Sequence, residues 1–192
     1  METGDPARGT LLVISGPSGV GKSSVVQALT ERMTFHFSVS WTTRERRPGE
    51  QDGVDYVFVD RPRFEDAIAA AGFLEWAEYS GHLYGTPRAA VLAHLSAGEH
   101  VLLDIENDGA GQVKAAYPDA VLVFILPPSP AELERRLRDR GDTSESDIKE
   151  RLSVASAQIE EAEWKFDHRV VNAEVGVVAD EIVSILTSAD GP

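Results

Sequence analysis

The chain contains no cysteine, so neither a disulfide framework nor a thiolate metal site can form, and an intracellular setting fits. It also lacks any apolar run long enough to span a bilayer, and its polar start, Met1 to Gly9, has no signal-peptide apolar region. The expectation is a soluble cytoplasmic protein. Positive charge is scarce: 18 Lys and Arg against 32 Asp and Glu leave a formal net charge of −14. That balance argues against non-specific binding to nucleic acid or to an anionic membrane. Internal repeats and low-complexity segments are absent, and nothing marks an oligomeric state. The 192 residues suffice for one compact domain with a real core.

The few cations fall together. Lys22, Arg44, Arg46, Arg47, Arg135, Arg136, Arg138, Arg140 and Arg151 are half of the Lys and Arg, and they sit in short stretches. An acidic protein that gathers its cations this way is built to receive a compact polyanion. The strongest pattern is Gly16-Pro17-Ser18-Gly19-Val20-Gly21-Lys22-Ser23-Ser24, preceded by the apolar run Leu11–Ile14 and followed by a helix-compatible segment. This is G-x-x-x-x-G-K-[ST] in its required strand–turn–helix context. Glycines let successive N–H groups point inward, and the helix N-terminus adds partial positive charge, so the turn can cradle phosphate oxygens. Lys22 can reach the β- and γ-phosphates, and the Ser23 hydroxyl can ligate Mg²⁺. Val101-Leu102-Leu103-Asp104 reads as an apolar strand ending in a carboxylate, a placement that suits an aspartate near that metal.

Apolar runs at 10–15, 35–40, 100–105, 120–126 and 169–171 alternate with helical segments at 22–33, 87–97, 108–116, 130–140, 145–163 and 174–187. This alternation predicts an α/β fold with a parallel sheet flanked by helices. The stretch from Thr42 to Thr86 breaks the rhythm. Its turn signals, two strands at 54–59 and 73–79, and an intervening short helix read as a small mixed insertion. Within it Arg44 and Arg47 lie close enough to converge on one phosphate. In 130–140, Leu133, Arg136, Leu137 and Arg140 share one helical face, while Arg135 and Arg138 point the other way. Trp76, Trp164, Phe124 and Phe166 are expected in the core. The five histidines show no metal spacing, and His82 reads as structural or exposed.

Taken in order, G-P-S-G-V-G-K-S, S-V-S-x-T-T-R-x-x-R-P-G-E-x-D-G-V-D-Y, F-L-E-W-A, Y-G-T, L-D-I and P-P-S-x-x-E-L-x-R-R-L-x-x-R-G resemble the guanylate kinase family over nearly the whole chain. The resemblance implies a single domain over 9–188 with a P-loop core at 9–41, 87–129 and 158–188. It also implies a GMP-binding region at 42–86, a helical lid at 130–157, and disordered tails at 1–8 and 189–192. It implies transfer of the γ-phosphoryl group of ATP to GMP, with Mg²⁺. Arg44, Arg47, Tyr56 and Tyr84 would hold the GMP phosphate, and Ser40, Glu75, Thr86 and Asp104 would read guanine or lie next to it. Lys22, Arg136, Arg140 and Arg151 would act on the transferred phosphoryl, and Asn172 would stand near the adenine edge. Glu75 has an independent chemical reason: one carboxylate can accept from both N1–H and the N2 amino group of guanine, whereas adenine offers no donor at N1. Two alternatives stand beside this reading: a non-catalytic protein-binding module of the same fold, and a P-loop kinase for another small phosphate ester. The chain departs from the family pattern at Trp41, at Leu83 in place of a tyrosine, at Glu106 and Asp108, and at Ala173.

Overall fold

The computed structural model describes residues 8–139 and 144–189. Its elements in chain order are β1 (Leu11–Ser15), α1 (Lys22–Thr30), β2 (His36–Phe37), β3 (Trp41–Thr42), β4 (Val57–Phe58), α2 (Arg61–Ala69), β5 (Phe73–Tyr79), β6 (His82–Pro87), α3 (Arg88–Ser96), β7 (Val101–Asp104), α4 (Asn107–Ala116), β8 (Val121–Leu126), α5 (Pro130–Asp139), α6 (Glu145–Lys165), β9 (His168–Val171) and α7 (Val175–Ala189). The expected α/β fold with a parallel central sheet is present: one sheet runs β2-β7-β1-β8-β9, and a smaller one runs β4-β3-β6-β5. The tails expected at 1–8 and 189–192 lie outside the described residues, apart from residues 8 and 189.

The chain divides into two compact units. One takes in the described residues of Met1–Leu11, Phe35–Leu103 and Asp108–Ala120, and the other those of Leu12–Thr34, Asp104–Asn107 and Val121–Pro192. In the second unit β1 is buried at every position, as an apolar strand covered on both faces must be. It pairs in parallel with β8, which pairs in parallel with β9. Helix α5 packs Leu133 and Leu137 against Ala155 of α6. Its charges follow the helical period: Arg136 lies on the flank of the leucine face, while Arg135 and Arg138 stand in solvent.

In the first unit β2 pairs in parallel with β7. The small sheet is built on the β5–β6 hairpin, whose turn residues Ser80 and Gly81 are both left-handed. Sequence reasoning leaves β6 unassigned, because Gly85 and Pro87 interrupt its apolar pattern. The Ser80-Gly81 dipeptide is the signal that could reveal it. The sheet covers a cluster of Phe64, Phe73 and Leu83, against which Trp41 packs. Phe64 and Phe73 stack with centroids 4.5 Å apart, and Trp41 meets Phe73 edge-on at 5.6 Å. The strands expected at 35–40 and 54–59 shorten to two residues each.

Two aromatic assignments are corrected. Phe124 and Phe166 are in the core, but Trp76 is 39% exposed and Trp164 is 74% exposed. On β5 an irregularity between Phe73 and Glu75 keeps Phe73, Leu74 and Glu75 buried together, so Trp76 turns outward. On α6 Trp164 follows the buried Ala162 by two positions, about 200° around a helix, and so faces water.

Gly85 shows how tightly the small core is closed. A Cβ there would lie 2.9 Å from the Phe73 ring and 3.0 Å from the Phe64 ring, both held in a buried stack. Gly85→Ala is therefore expected to cost about 1–3 kcal/mol, the usual penalty of overpacking. A lowered denaturant midpoint with an unchanged slope would show it.

Candidate active site

The buried strand β1 delivers the chain to a turn where, among the described residues, no side chain caps the start of α1. Gly21 is the N-cap of α1, with φ 98° and no side-chain cap, so the first N–H groups of the helix remain available to an anion. A Cβ at Gly21 would stand 2.7 Å from Asn172 Nδ2, so the turn can pass here only as glycine. Lys22 Nζ donates to Gly16 O at 2.7 Å, which folds the ammonium back across the turn. The resulting cavity, of about 420 Å³, is lined by Pro17, Ser18, Gly19, Gly21, Lys22, Ser23, Ser24, Asp104 and Glu106. Gly16 and Val20 shape the turn without lining that cavity.

Asp104 ends β7 at the solvent-exposed mouth of the cavity. Surrounding protein nevertheless pushes its carboxyl pKa upward; Lys22 pulls it back, and Glu106 pushes it up again. Glu106, one of the departures from the family pattern, thus adds a second carboxylate to the cavity lining beside Asp104. Its Oε2 accepts from Gln158 Nε2 at 3.0 Å. Ser23 and Asp104 offer hydroxyl and carboxylate oxygens in one concave site, the hard donor set that Mg²⁺ takes alongside phosphate oxygens and water.

Three side chains behind the turn hold it. Val20 O accepts from Asn172 Nδ2 at 2.8 Å and from Arg136 Nη1 at 3.0 Å. Arg136 also donates from Nη2 to Asn172 O at 3.2 Å and from Nε to Glu132 Oε1 at 2.8 Å. Its fork is therefore engaged by protein oxygens. Glu132 is drawn down to about 2 by Arg135 and then Arg136. Arg135 and Arg138 form exposed ion pairs with Glu132 and Asp139, and with Glu134 and Glu145. Arg151 is exposed on α6 and does not line the cavity, and Arg140 lies outside the described residues. Sequence reasoning misses Asn107, which is 4% exposed. Its Oδ1 accepts from Ser15 Oγ at 3.0 Å, and its Nδ2 donates to Gln158 O and Glu161. No local pattern announces such a hub, because its partners lie 51 to 92 residues away.

The first unit holds a second polar site. Glu75 and Thr86 are a cross-strand pair of β5 and β6, 8% and 1% exposed, and Thr86 Oγ1 donates to Glu75 Oε1 at 2.5 Å. Burial raises the Glu75 pKa, while the Thr86 hydroxyl and amide oppose the rise. β5 is an edge strand, and Gln112 of α4 completes it. Its Oε1 accepts from Trp76 N–H at 3.1 Å, and its Nε2 donates to Trp76 O at 3.0 Å. That clamp sits one residue from Glu75, and no sequence pattern announces it.

Nearby on the chain, Arg44 forks onto Glu50, with Nη2 to Oε1 at 2.7 Å and Nη1 to Oε2 at 3.1 Å. Arg47 N–H also donates to Glu50 Oε2, at 2.7 Å. Glu50, another residue that sequence reasoning misses, is held down to about 2, chiefly by Arg44. The Arg44 guanidinium lies over Tyr56 at 5.5 Å, and Tyr56 meets Tyr84 edge-on at 6.0 Å. Arg44, Arg47, Tyr56 and Tyr84 are thus linked through short contacts, directly or through Glu50. Ser40 enters by its carbonyl, which accepts from Val57 N–H at 2.9 Å. Trp41 turns away toward Phe73 and under the Arg63 guanidinium at 5.2 Å.

A family model described as guanylate kinase matches residues 8–189. A guanylate kinase of Thermus thermophilus is 54% identical over 181 residues, covering 94% of this chain and 82% of its own length. One from Thermobifida fusca is 50% identical over 179 residues, with coverage of 93% and 91%. A crystal structure of guanylate kinase from Anaplasma phagocytophilum is similar with a TM-score of 0.68 at 33% identity, covering 95% of this chain and 86% of that one. A gluconokinase from Sinorhizobium meliloti 1021 shares the fold alone, at a TM-score of 0.51 and 18% identity.

The bonds of Arg136 separate it from its neighbours on α5. Hydrogen bonds to charged groups contribute about 1.5–3 kcal/mol, so Arg136→Ala should speed amide exchange across α5 by about 10–100-fold. Arg135→Ala and Arg138→Ala remove only exposed pairs and should change it by less than about threefold. Hydrogen–deuterium exchange of the three variants makes the comparison.

Proposed function

The chain belongs to the guanylate kinase family and transfers the γ-phosphoryl group of ATP to GMP, giving ADP and GDP, and we propose that it does so with Mg²⁺ through the two sites described above. The observation that carries the residue assignment is the buried Glu75–Thr86 pair beside a cluster of phosphate-binding character. In the transfer an oxygen of the GMP phosphate bonds to the γ-phosphorus of ATP as the bond to the β-phosphate oxygen breaks. No side-chain nucleophile is required, so positioning and charge neutralisation carry the catalysis.

Each group then has a task. The amides of Gly16–Ser24 and the N-terminus of α1 hold the ATP phosphates, and Lys22 exchanges Gly16 O for phosphate oxygens. Ser23 and Asp104 would hold Mg²⁺, which when bound neutralises charge on the phosphoryl oxygens. Arg44 and Arg47, with Tyr56 and Tyr84, take the GMP phosphate, while Glu50 keeps the Arg44 fork oriented before the ligand arrives. Glu75 accepts from guanine N1–H and N2–H, supported by Thr86, with Ser40 and Asp104 beside the base. Asn172 fixes the back of the ATP turn near the adenine edge. Arg140 and Arg151 act on the transferred phosphoryl. Arg136 reaches it only by releasing Val20 O and Asn172 O. Residues 42–86 serve as the GMP region and 130–157 as the lid. The partners are ATP and GMP, and the working compartment is the cytoplasm. No helix among the described residues is long and apolar enough to cross a membrane.

A coupled assay of ADP formation with GMP, dGMP, AMP and no acceptor tests this directly. Turnover should be fastest with GMP, slower with dGMP and marginal with AMP, and chelation of divalent metal should abolish it. Equal rates on AMP and GMP would overturn the base-reading assignment.

Glu75 also sets a pH signature. Guanine needs the ionised carboxylate, and burial raises its pKa, so GMP binding should weaken on acidification at a higher pH than an ordinary glutamate would dictate. Thr86→Val removes a donor to the charged form and should move the acid limb of kcat/KM for GMP further upward. Glu75→Gln leaves one donor of guanine facing an amide donor and should raise KM for GMP about 10–100-fold, from the 1–3 kcal/mol of an unmet buried donor. Stability should move the other way. A carboxyl whose folded pKa is raised contributes stability below its unfolded pKa and loses it as pH rises through the folded pKa. At neutral pH the ligand-free Glu75→Gln protein should therefore melt higher than the parent, as calorimetry can record.

A further inference from the structure

We propose that His36, His94 and Glu99 form a binding site for a divalent transition-metal ion of the zinc class. The three come from different elements: the start of β2, the last turn of α3, and the turn that leads into β7. The parallel register of β2 on β7, His36 against Val101, brings them together, fixed by His36 N–H donating to His100 O at 2.8 Å. One ligand atom from each residue lies within 4.8 Å of the other two. The imidazole rings of His36 and His94 stack with centroids 3.3 Å apart and planes 16° from parallel. Zinc bonds of about 2.0–2.1 Å in a tetrahedron set ligand atoms about 3.3 Å apart, so the site closes when the two rings turn out of their stack and aim their in-plane lone pairs at one point.

The three groups make a ligand set of two imidazoles and one carboxylate. Burial and then His94 hold His36 below the ordinary histidine range, against the pull of Glu99. Histidine ligates through the lone pair of a neutral ring. Glu99 Oε2 lies 2.5 Å from His94 Nδ1 and supplies the negative charge that a cation needs. Glu99 is exposed and both histidines are half-buried, so an ion has an entry path and water can complete the coordination. His100 is committed elsewhere: its Nδ1 accepts from Thr10 N–H at 3.1 Å. The pairing of two imidazoles with one carboxylate selects borderline ions such as Zn²⁺. The nucleotide cavity offers only oxygen side-chain ligands besides Lys22, which suit Mg²⁺. With no cysteine in the chain, imidazole-dependent zinc binding can be read without competing thiolates.

The test is calorimetric titration of the full chain with Zn²⁺ alone, in the presence of excess Mg²⁺. One equivalent should bind and raise the melting temperature. His94→Gln and Glu99→Gln should each weaken binding by at least about tenfold, the scale of losing a contact to a metal or its ligands. Both should keep GMP phosphorylation and the metal-free melting temperature near those of the parent. His168→Ala, at an exposed histidine on β9, should bind zinc as the parent does. No saturable binding by the parent, or parent-like binding by His94→Gln and Glu99→Gln, overturns the proposal.

Discussion

The turn at Gly16–Ser24, the proposed ATP site, depends on one constraint: its amides must face a ligand rather than the protein's own side chains. An ordinary helix start satisfies its first N–H groups with a Ser, Thr, Asp or Asn cap. Here the cap is Gly21, which offers no such acceptor. A loop with free donors would normally collapse or wander. It is held instead from behind, through its carbonyls. Val20 O takes two donors, Gly16 O takes the Lys22 ammonium, and the strand leading in is fixed by Ser15 Oγ on Asn107. The Gly16 and Val20 carbonyls are met by protein donors, and on the proposed assignment the uncapped amides at the start of α1 are left for phosphate.

The same logic runs with opposite sign in the first unit. On the proposed assignment the ligand there brings donors, so the protein must keep an acceptor buried and ionised. The Thr86 hydroxyl and amide both act on Glu75 and oppose its desolvation without cancelling the rise in its pKa. Gln112 stiffens the neighbouring backbone without touching the carboxylate itself. Arg44 is treated in the converse way. Glu50 holds a cation in place, and two aromatic rings cover it, so the guanidinium is oriented at little conformational cost when an anion arrives. In a chain of net charge −14, local pairing of this kind keeps each cation from being drawn to the nearest of many carboxylates.

How much of this is legible in the sequence follows from the range of the interactions. The glycine-rich turn, its flanking strand and helix, and the carboxylate at the end of β7 are local patterns, and all are readable. So is the division of the α5 arginines, since helical period alone separates position 136 from 135 and 138. Asn107 and Gln112 are not, because each matters through the distant partner it meets and neither belongs to a motif; Glu50 and Glu132 stand inside quoted patterns, but their pairing with Arg44 and Arg136 shows only in the fold. The histidines show the limit most clearly. His36 and His94 are 58 residues apart in the numbering, with no ligand spacing, yet parallel pairing of β2 on β7 stacks their rings. Trp76 and Trp164 mislead for a related reason: bulk argues for burial, but a strand irregularity and a helical phase decide the side on which each ring falls.

The departures at Trp41 and Leu83 are best understood together. Taken singly, a tryptophan beside Ser40 reads as a threat to the base site, and a leucine before Tyr84 as a lost hydroxyl. In the fold both side chains belong to the cluster of Phe64 and Phe73, on the side of the small sheet opposite to their strand neighbours. Strand alternation forces this, since Ser40 and Thr42 flank Trp41, and Tyr84 follows Leu83. The large indole and the aliphatic leucine pack the same space, and Gly85 leaves room for the stacked rings to approach the hairpin. The added apolar volume therefore goes into holding β3 against β6. It leaves untouched the Glu75–Thr86 pair proposed to read the base.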